Sequence, residues 1–273
     1  MLPYVKNYLI RTYLLIIAVP VAFIVIMSLA TGSFVLAQPW GIGSTVGLTI
    51  LATIAVARPM ITAATNEAEQ LVSLYDEQCD PPAFIEQGAA IAGRIVPPYD
   101  DWGAWYTSAF ALAFADVGKT EYATRLVEGM RTSALAAKKP GARAGICLHM
   151  EPPIKRLLGI DLALEALSEA ERNLEGSTDP VDADRLKFIA WERSLLTAER
   201  DGDDEKLVEL LSHVSSTPSY PQRKRVEAAW EESQAQRRLG DAARERECLD
   251  YVIENGNKLS CVASARERLA ELG

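Results

Sequence analysis

The sequence predicts an all-α protein: a two-span transmembrane helical hairpin followed by an α-solenoid-like helical domain. Three observations carry this. Thr12 to Ala57 is an unbroken run of 46 residues without a charged side chain. Beyond Pro59 the apolar residues recur at helical spacing, with no alternation of the kind a strand requires. Four glycines, Gly118, Gly159, Gly202 and Gly240, are separated by 41, 43 and 38 residues, with one helix pair in each interval. A period of that length is close to that of helical arrays, whose repeats bury their faces against their neighbours.

The uncharged run fits two spans of ~20 residues each with a tight connection. The first reads from about 12 to 30 and the second from about 38 to 57, with Thr31-Gly32-Ser33 and Gln38-Pro39 as the turn. A cleaved leader ending near Leu36-Ala37-Gln38 is the competing reading, but its apolar stretch would be too long and is followed at once by another. Lys6 and Arg11 precede the first span and Arg58 closes the second, so positive-inside bias places both termini in the cytoplasm and the chain in the cell membrane as a multi-pass protein. The small residues Gly41, Gly43, Ser44 and Gly47 would let helices approach closely, within the hairpin or in a homo-oligomer; ordinary composition of a weakly apolar span is the alternative.

Residues 59–273 form the expected cytoplasmic domain. Residues 1–58 carry +3 of the formal −9, leaving −12 on the remainder. Such an acidic body excludes general nucleic-acid binding, which needs a basic footprint. Ile61–Gln78 reads as a helix, and Asp80 with Pro81 starts the next, the aspartate capping and the proline at the first helical position. Asp101 to Val117 carries Trp102, Trp105, Tyr106, Phe110 and Phe114. Gly118 turns the chain into Glu121–Ala137, and Lys138–Gly145 reads as a loop. Ile154–Leu158 and Asp161–Leu174 form a weaker pair, and residues 175–182 an internal linker. Then come Ala183–Arg200 with Phe188, Trp191 and Leu195 on one face, and a stripe of Leu207, Leu210, Leu211 and Val214. Gln222–Leu239, a helix from Ala242 stopped by Gly256, and a last helix from Ser260 complete the chain.

Residues 229–251, AWEESQAQRRLGDAARERECLDY, resemble a degenerate tetratricopeptide unit: an aromatic-bearing helix, Leu-Gly-Asp at the turn, then a small-residue helix. Trp105–Met130 around Gly118 is similar. The segments LYDEQCDPPAFIEQG and YVIENGNKLSCVASARERL also resemble bacterial membrane-anchored tetratricopeptide-like proteins. The likeness covers residues 74–137 and 183–273 at a longer period than the family's usual one. It implies a helical-repeat scaffold or adaptor that binds another protein at the cytoplasmic membrane face. The alternative is an accessory subunit of a membrane enzyme or transporter, with its site in or near the spans; the absence of ionisable residues from 12–57 favours the scaffold.

Little in the chain suggests chemistry of its own, and no enzymatic activity and no cofactor are expected. No phosphate-cradling, zinc-hydrolase or nucleophile-elbow motif occurs. Cys147-Leu148-His149-Met150 has ligand-type side chains but no further ligands to complete a metal site, and the four cysteines read as reduced thiols packed in helices. Asp100-Asp101 and Asp203-Asp204 sit at helix starts, where the macrodipole favours them. Two groups are candidates for partner binding. Tyr99, Trp102 and Trp105 are either core of the first hairpin or an aromatic floor for a peptide. Arg223, Arg225 and Arg237 share one helix with acidic neighbours and read as a solvated face. The resemblance adds that such groups hold acidic peptide ends.

Overall fold

The computed structural model describes residues 18, 21–22, 24–30 and 39–273. From Pro39 onward the described chain is built of helices, with no strand. In order these are α1 (Pro39–Asp76), α2 (Pro81–Ala92), α3 (Asp101–Asp116), α4 (Thr120–Ala136), α5 (Pro140–Leu157), α6 (Ile160–Leu174), α7 (Pro180–Asp201), α8 (Asp204–Ser216), α9 (Gln222–Leu239), α10 (Ala242–Asn255) and α11 (Ser260–Glu271). The chain divides into two compact units, Met1–Glu69 and Gln70–Gly273, and the division falls inside α1.

The expected membrane hairpin is overturned. Of its first span, 12–30, residues 12–17, 19–20 and 23 lie outside the described residues, as does the connection at 31–38. The second falls within α1, but that helix does not stop at Arg58-Pro59; it runs on through Glu67 and Glu69 to Asp76. Among the described residues no helix is long and apolar enough to cross a membrane. The multi-pass placement with both termini cytoplasmic is corrected with it. In α1 the uncharged stretch is one part of a 38-residue helix that also carries Arg58, Glu67, Glu69 and Asp76. Among the described residues, a Cβ on Gly43 or Gly47 would meet nothing within 4 Å.

The unit Gln70–Gly273 is an array in which each helix from α2 to α11 packs on the next, with α3 also against α5 and α9 also against α11. Aspartate caps set the starts of five helices. Asp80, Asp100, Asp179, Asp203 and Asp241 each accept a hydrogen bond from a backbone N–H two or three residues on. Gly118, Gly159, Gly202 and Gly240 all take positive φ, at 74°, 111°, 71° and 81°, which a residue with a Cβ adopts only at a cost. From Pro140 onward the loop expected at 138–145 is instead the start of α5. Pro140 occupies its first turn, where no donor is needed, and Ile146, Cys147, Met150 and Ile154 are all buried along one side. Pro152 and Pro153 lie inside this helix, so the apolar face outweighs the two missing N–H donors.

Two hydrophobic clusters among the described residues contribute to the core of the array. The larger is contributed by α3 to α7 and includes Val127, Met130, Ile146, Leu167, Leu174 and Leu196. The smaller joins α7, α8 and α9 through Leu195, Leu207, Leu211, Val214 and Ala228. Near α2 an aromatic chain adds to these: Tyr75 stacks on Phe84 at 5.9 Å, and Phe84 meets Phe110 edge-on at 4.7 Å.

The array closes on itself. The Lys258 N–H donates to the Cys79 carbonyl at 3.1 Å, Asn257 Nδ2 donates to the Gln78 carbonyl at 2.8 Å, and Lys258 Nζ pairs with Asp80 at 2.6 Å. Arg156 Nη2 bridges Asp116 at 2.6 Å and Ser260 Oγ at 2.8 Å, tying α5 to the ends of α3 and α11. These contacts join residues near the beginning and end of the unit.

Candidate functional site

The closed array encloses a cleft of about 830 Å³, lined mainly by the odd-numbered helices α3, α5, α7, α9 and α11, with α8 contributing at one side. Alternate helices therefore face inward. Phe188, Trp191 and Trp230 supply aromatic wall, and Leu195, Leu207 and Leu211 apolar wall. Apolar and aromatic patches thus alternate on this wall with charged side chains.

Charge in the cleft is abundant and mostly paired. Lys155 Nζ lies 2.8 Å from Glu199 and 3.0 Å from Glu231. Burial works against its charge, but the two carboxylates outweigh that and hold the ammonium above the ordinary lysine range. Arg156 pairs with Asp116 and, at 3.4 Å, with Glu227. Arg223 is buried, with Nε 2.8 Å from Asp76, Nη1 2.7 Å from Glu227, and its guanidinium 4.7 Å from the Tyr75 ring centroid. Arg238 pairs with Asp204 at 2.7 Å.

Two carboxyls stand apart from this network. Glu151 on α5 and Glu192 on α7 are 2% and 8% exposed and both line the cleft. Among the described residues neither takes part in a hydrogen bond or an ion pair. Burial, and next the charge of Glu192, push the Glu151 carboxyl up to about 8; Lys155 and Lys224 pull it down and Glu231 adds to the rise. Burial likewise raises Glu192 against Lys224 and Lys155. Two like groups so placed share protons as a pair.

A stability prediction follows from the sign of this shift. The folded Glu151 carboxyl binds its proton more tightly than an unfolded one. Its contribution is therefore full below the ordinary glutamate value of 4.5 and is lost as pH rises through about 8. Glu151→Gln keeps the size and removes the titration. The variant is expected to melt with wild type at pH ~4 and a few degrees above it at pH ~9, one kcal/mol being worth roughly 2–4 °C in a domain of this size. Thermal melts across that range check it; a constant difference at all pH values would contradict the assignment.

The residues singled out in the sequence are placed as follows. Tyr99, Trp102 and Trp105 do not line the cleft. The Tyr99 N–H donates to Ser133 Oγ at 2.8 Å, which ties this loop to α4. Trp102 stacks on Tyr106 at 5.6 Å and lies 6.0 Å from Trp105, and its buried indole N–H has no acceptor among the described residues. Of the arginines, Arg223 lines the cleft but is committed to Asp76 and Glu227. Arg225 donates to the Ser215 carbonyl at 3.3 Å and lies over Tyr251, while Arg237 is exposed and outside the cleft. The aromatic and basic groups are thus not brought together at the cleft.

Cys147 and His149 do not share a site either. The thiol is buried, and that burial pushes it up to about 12, whereas His149 Nε2 sits 3.2 Å from Asp101 Oδ1. Among the described residues no group of three or more His, Cys, Asp or Glu side chains is placed to hold a metal ion. Cys79 departs from the expectation of helical thiols: it is buried in the turn between α1 and α2, at φ 52°.

Sequence reasoning missed Glu151 and Glu192, although a signal was present. Cys147, Glu151 and Ile154 follow at i, i+4 and i+7, and Phe188, Glu192 and Leu195 do the same. An acid in the middle of an apolar stripe is a charge the fold must bury. No family model, curated protein or solved structure matches the chain.

Proposed function

We propose that this chain is a helical-repeat docking protein, solenoid-like and of tetratricopeptide-like design, which binds a segment of another protein in its inner cleft rather than catalysing a reaction. The observation that carries the reading is the cleft itself: about 830 Å³ walled by five alternate helices of one array. Helix pairs turned at Gly118, Gly202 and Gly240 support the repeat design. The mutual pairing of Lys155, Arg156, Arg223 and their acids supports a charged binding wall, because groups held in ion pairs shape and charge a surface. In such a protein the scaffold holds still and the partner orders onto it.

A photo-activated cross-linking side chain at Gln234, which lines the cleft, should capture a partner polypeptide in the cells that make this protein. The same side chain at Leu135, 70% exposed and outside the cleft, should capture none. Equal yields at the two positions, or capture at Leu135 alone, would move the binding surface away from the cleft.

A further inference from the structure

Four glutamates of the helical unit are buried: Glu151, Glu192, Glu232 and Glu245. Two are satisfied inside the fold. Glu245 receives Arg268 at 2.6 Å and 3.2 Å, and Glu232 receives Ser215 Oγ at 3.2 Å. The other two, Glu151 and Glu192, accept nothing among the described residues, and these are the two that line the cleft. Their oxygens are not among the sealed, partnerless side-chain atoms, so they stay within reach of whatever occupies the cleft. The neighbouring cations do not fill the need. Lys155 is held by Glu199 and Glu231, and Lys224 Nζ lies 5.9 Å from the centroid of the Phe188 ring, donating to neither carboxyl.

We propose that Glu151 and Glu192 receive a basic side chain, a lysine ammonium or an arginine guanidinium, of the segment that occupies the cleft. The proposal rests on the cleft being a segment-binding groove and names the chemistry of its occupant. Charge complementarity selects a cation, since the unsatisfied buried groups on the wall are carboxyls. A metal ion fits less well, because two carboxyls without a third ligand make a poor cage. The stem of a long basic side chain would lie against Trp191, whose face favours a cation.

The test uses the full chain and capped fluorescent peptide pools of random apolar sequence carrying one central Lys, Arg, Met or Glu. The Lys and Arg pools should bind roughly ten- to a hundredfold more tightly than the Met pool, the range charge-assisted hydrogen bonds confer. The Glu151→Gln/Glu192→Gln variant should lose that advantage and still bind the Met pool as wild type does. Carbodiimide coupling of the Lys pool to the wild-type chain, read by mass spectrometry, should place the new amide at Glu151 or Glu192; this does not depend on the variant folding. Equal affinity for the Lys and Met pools, preference for the Glu pool, a Lys preference that survives in the double variant, or coupling only elsewhere would each overturn the basic-side-chain assignment while leaving segment binding standing. If no pool binds, the groove reading fails and this proposal falls with it.

Discussion

Arg223→Met is expected to destabilise the helical unit by roughly 3–5 kcal/mol, the usual cost of removing one partner from a buried ion pair. Arg223 is 6% exposed and joins three groups at once: Asp76, Glu227 and the face of Tyr75. Burial opposes its charge, and Glu227 and Asp76 outweigh that opposition. Methionine fills much of the volume but leaves both carboxylates facing a site built for a cation. The Arg223–Asp76 bond also spans 147 residues of sequence, so its loss unties α9 from the last turn of α1. Urea unfolding measures the effect. Adding Asp76→Asn and Glu227→Gln to the variant should restore a large part of the stability, because neutral groups replace the stranded charges. An Arg223→Met chain as stable as wild type would show that the ion pairs do not contribute to closing the array.

Leu211→Ala is expected to cost roughly 2–5 kcal/mol, as truncating a buried leucine does. Leu211 is 2% exposed and packs in the smaller core with Leu195, Leu207, Val214 and Ala228. Leu210, partly exposed at the margin of the same cluster, should cost distinctly less, and exposed Glu205→Ala should stay within ~0.5 kcal/mol. Tryptophan fluorescence reports the transition directly, since Trp191 packs on the cluster. Equal effects at 210 and 211 would mean that the helix is rotated from the orientation described. Because Leu211 also lines the cleft, its truncation should weaken partner capture at Gln234 in proportion to the loss of folded protein.

Local structure was largely legible in the sequence. Asp80, Asp100, Asp203 and Asp241 start helices because a short side-chain oxygen can satisfy an N–H that the helix leaves open, and that chemistry needs no tertiary context. The turns at Gly118, Gly159, Gly202 and Gly240 were marked for the same kind of reason: positive φ excludes most residues with a Cβ. α9, Gln222–Leu239, has the bounds its apolar spacing predicts.

Where the sequence misled, a local rule lost to a nonlocal one. Residues 138–145 read as a loop, yet α5 starts at Pro140 and runs on through Pro152 and Pro153 because Ile146, Cys147, Met150 and Ile154 are buried together. The uncharged stretch before Arg58 read as a membrane span, yet α1 continues past it into acidic sequence. Composition, spacing and caps therefore determined the helical class, the turns and most helix bounds. Only the tertiary structure decided that alternate helices face one cleft, that Arg223 meets Asp76 across most of the unit, and that Glu151 and Glu192 sit buried there without partners. The reason is physical: caps and turns are set by neighbours in the chain, whereas burial and charge pairing are set by residues that only the closed array brings together.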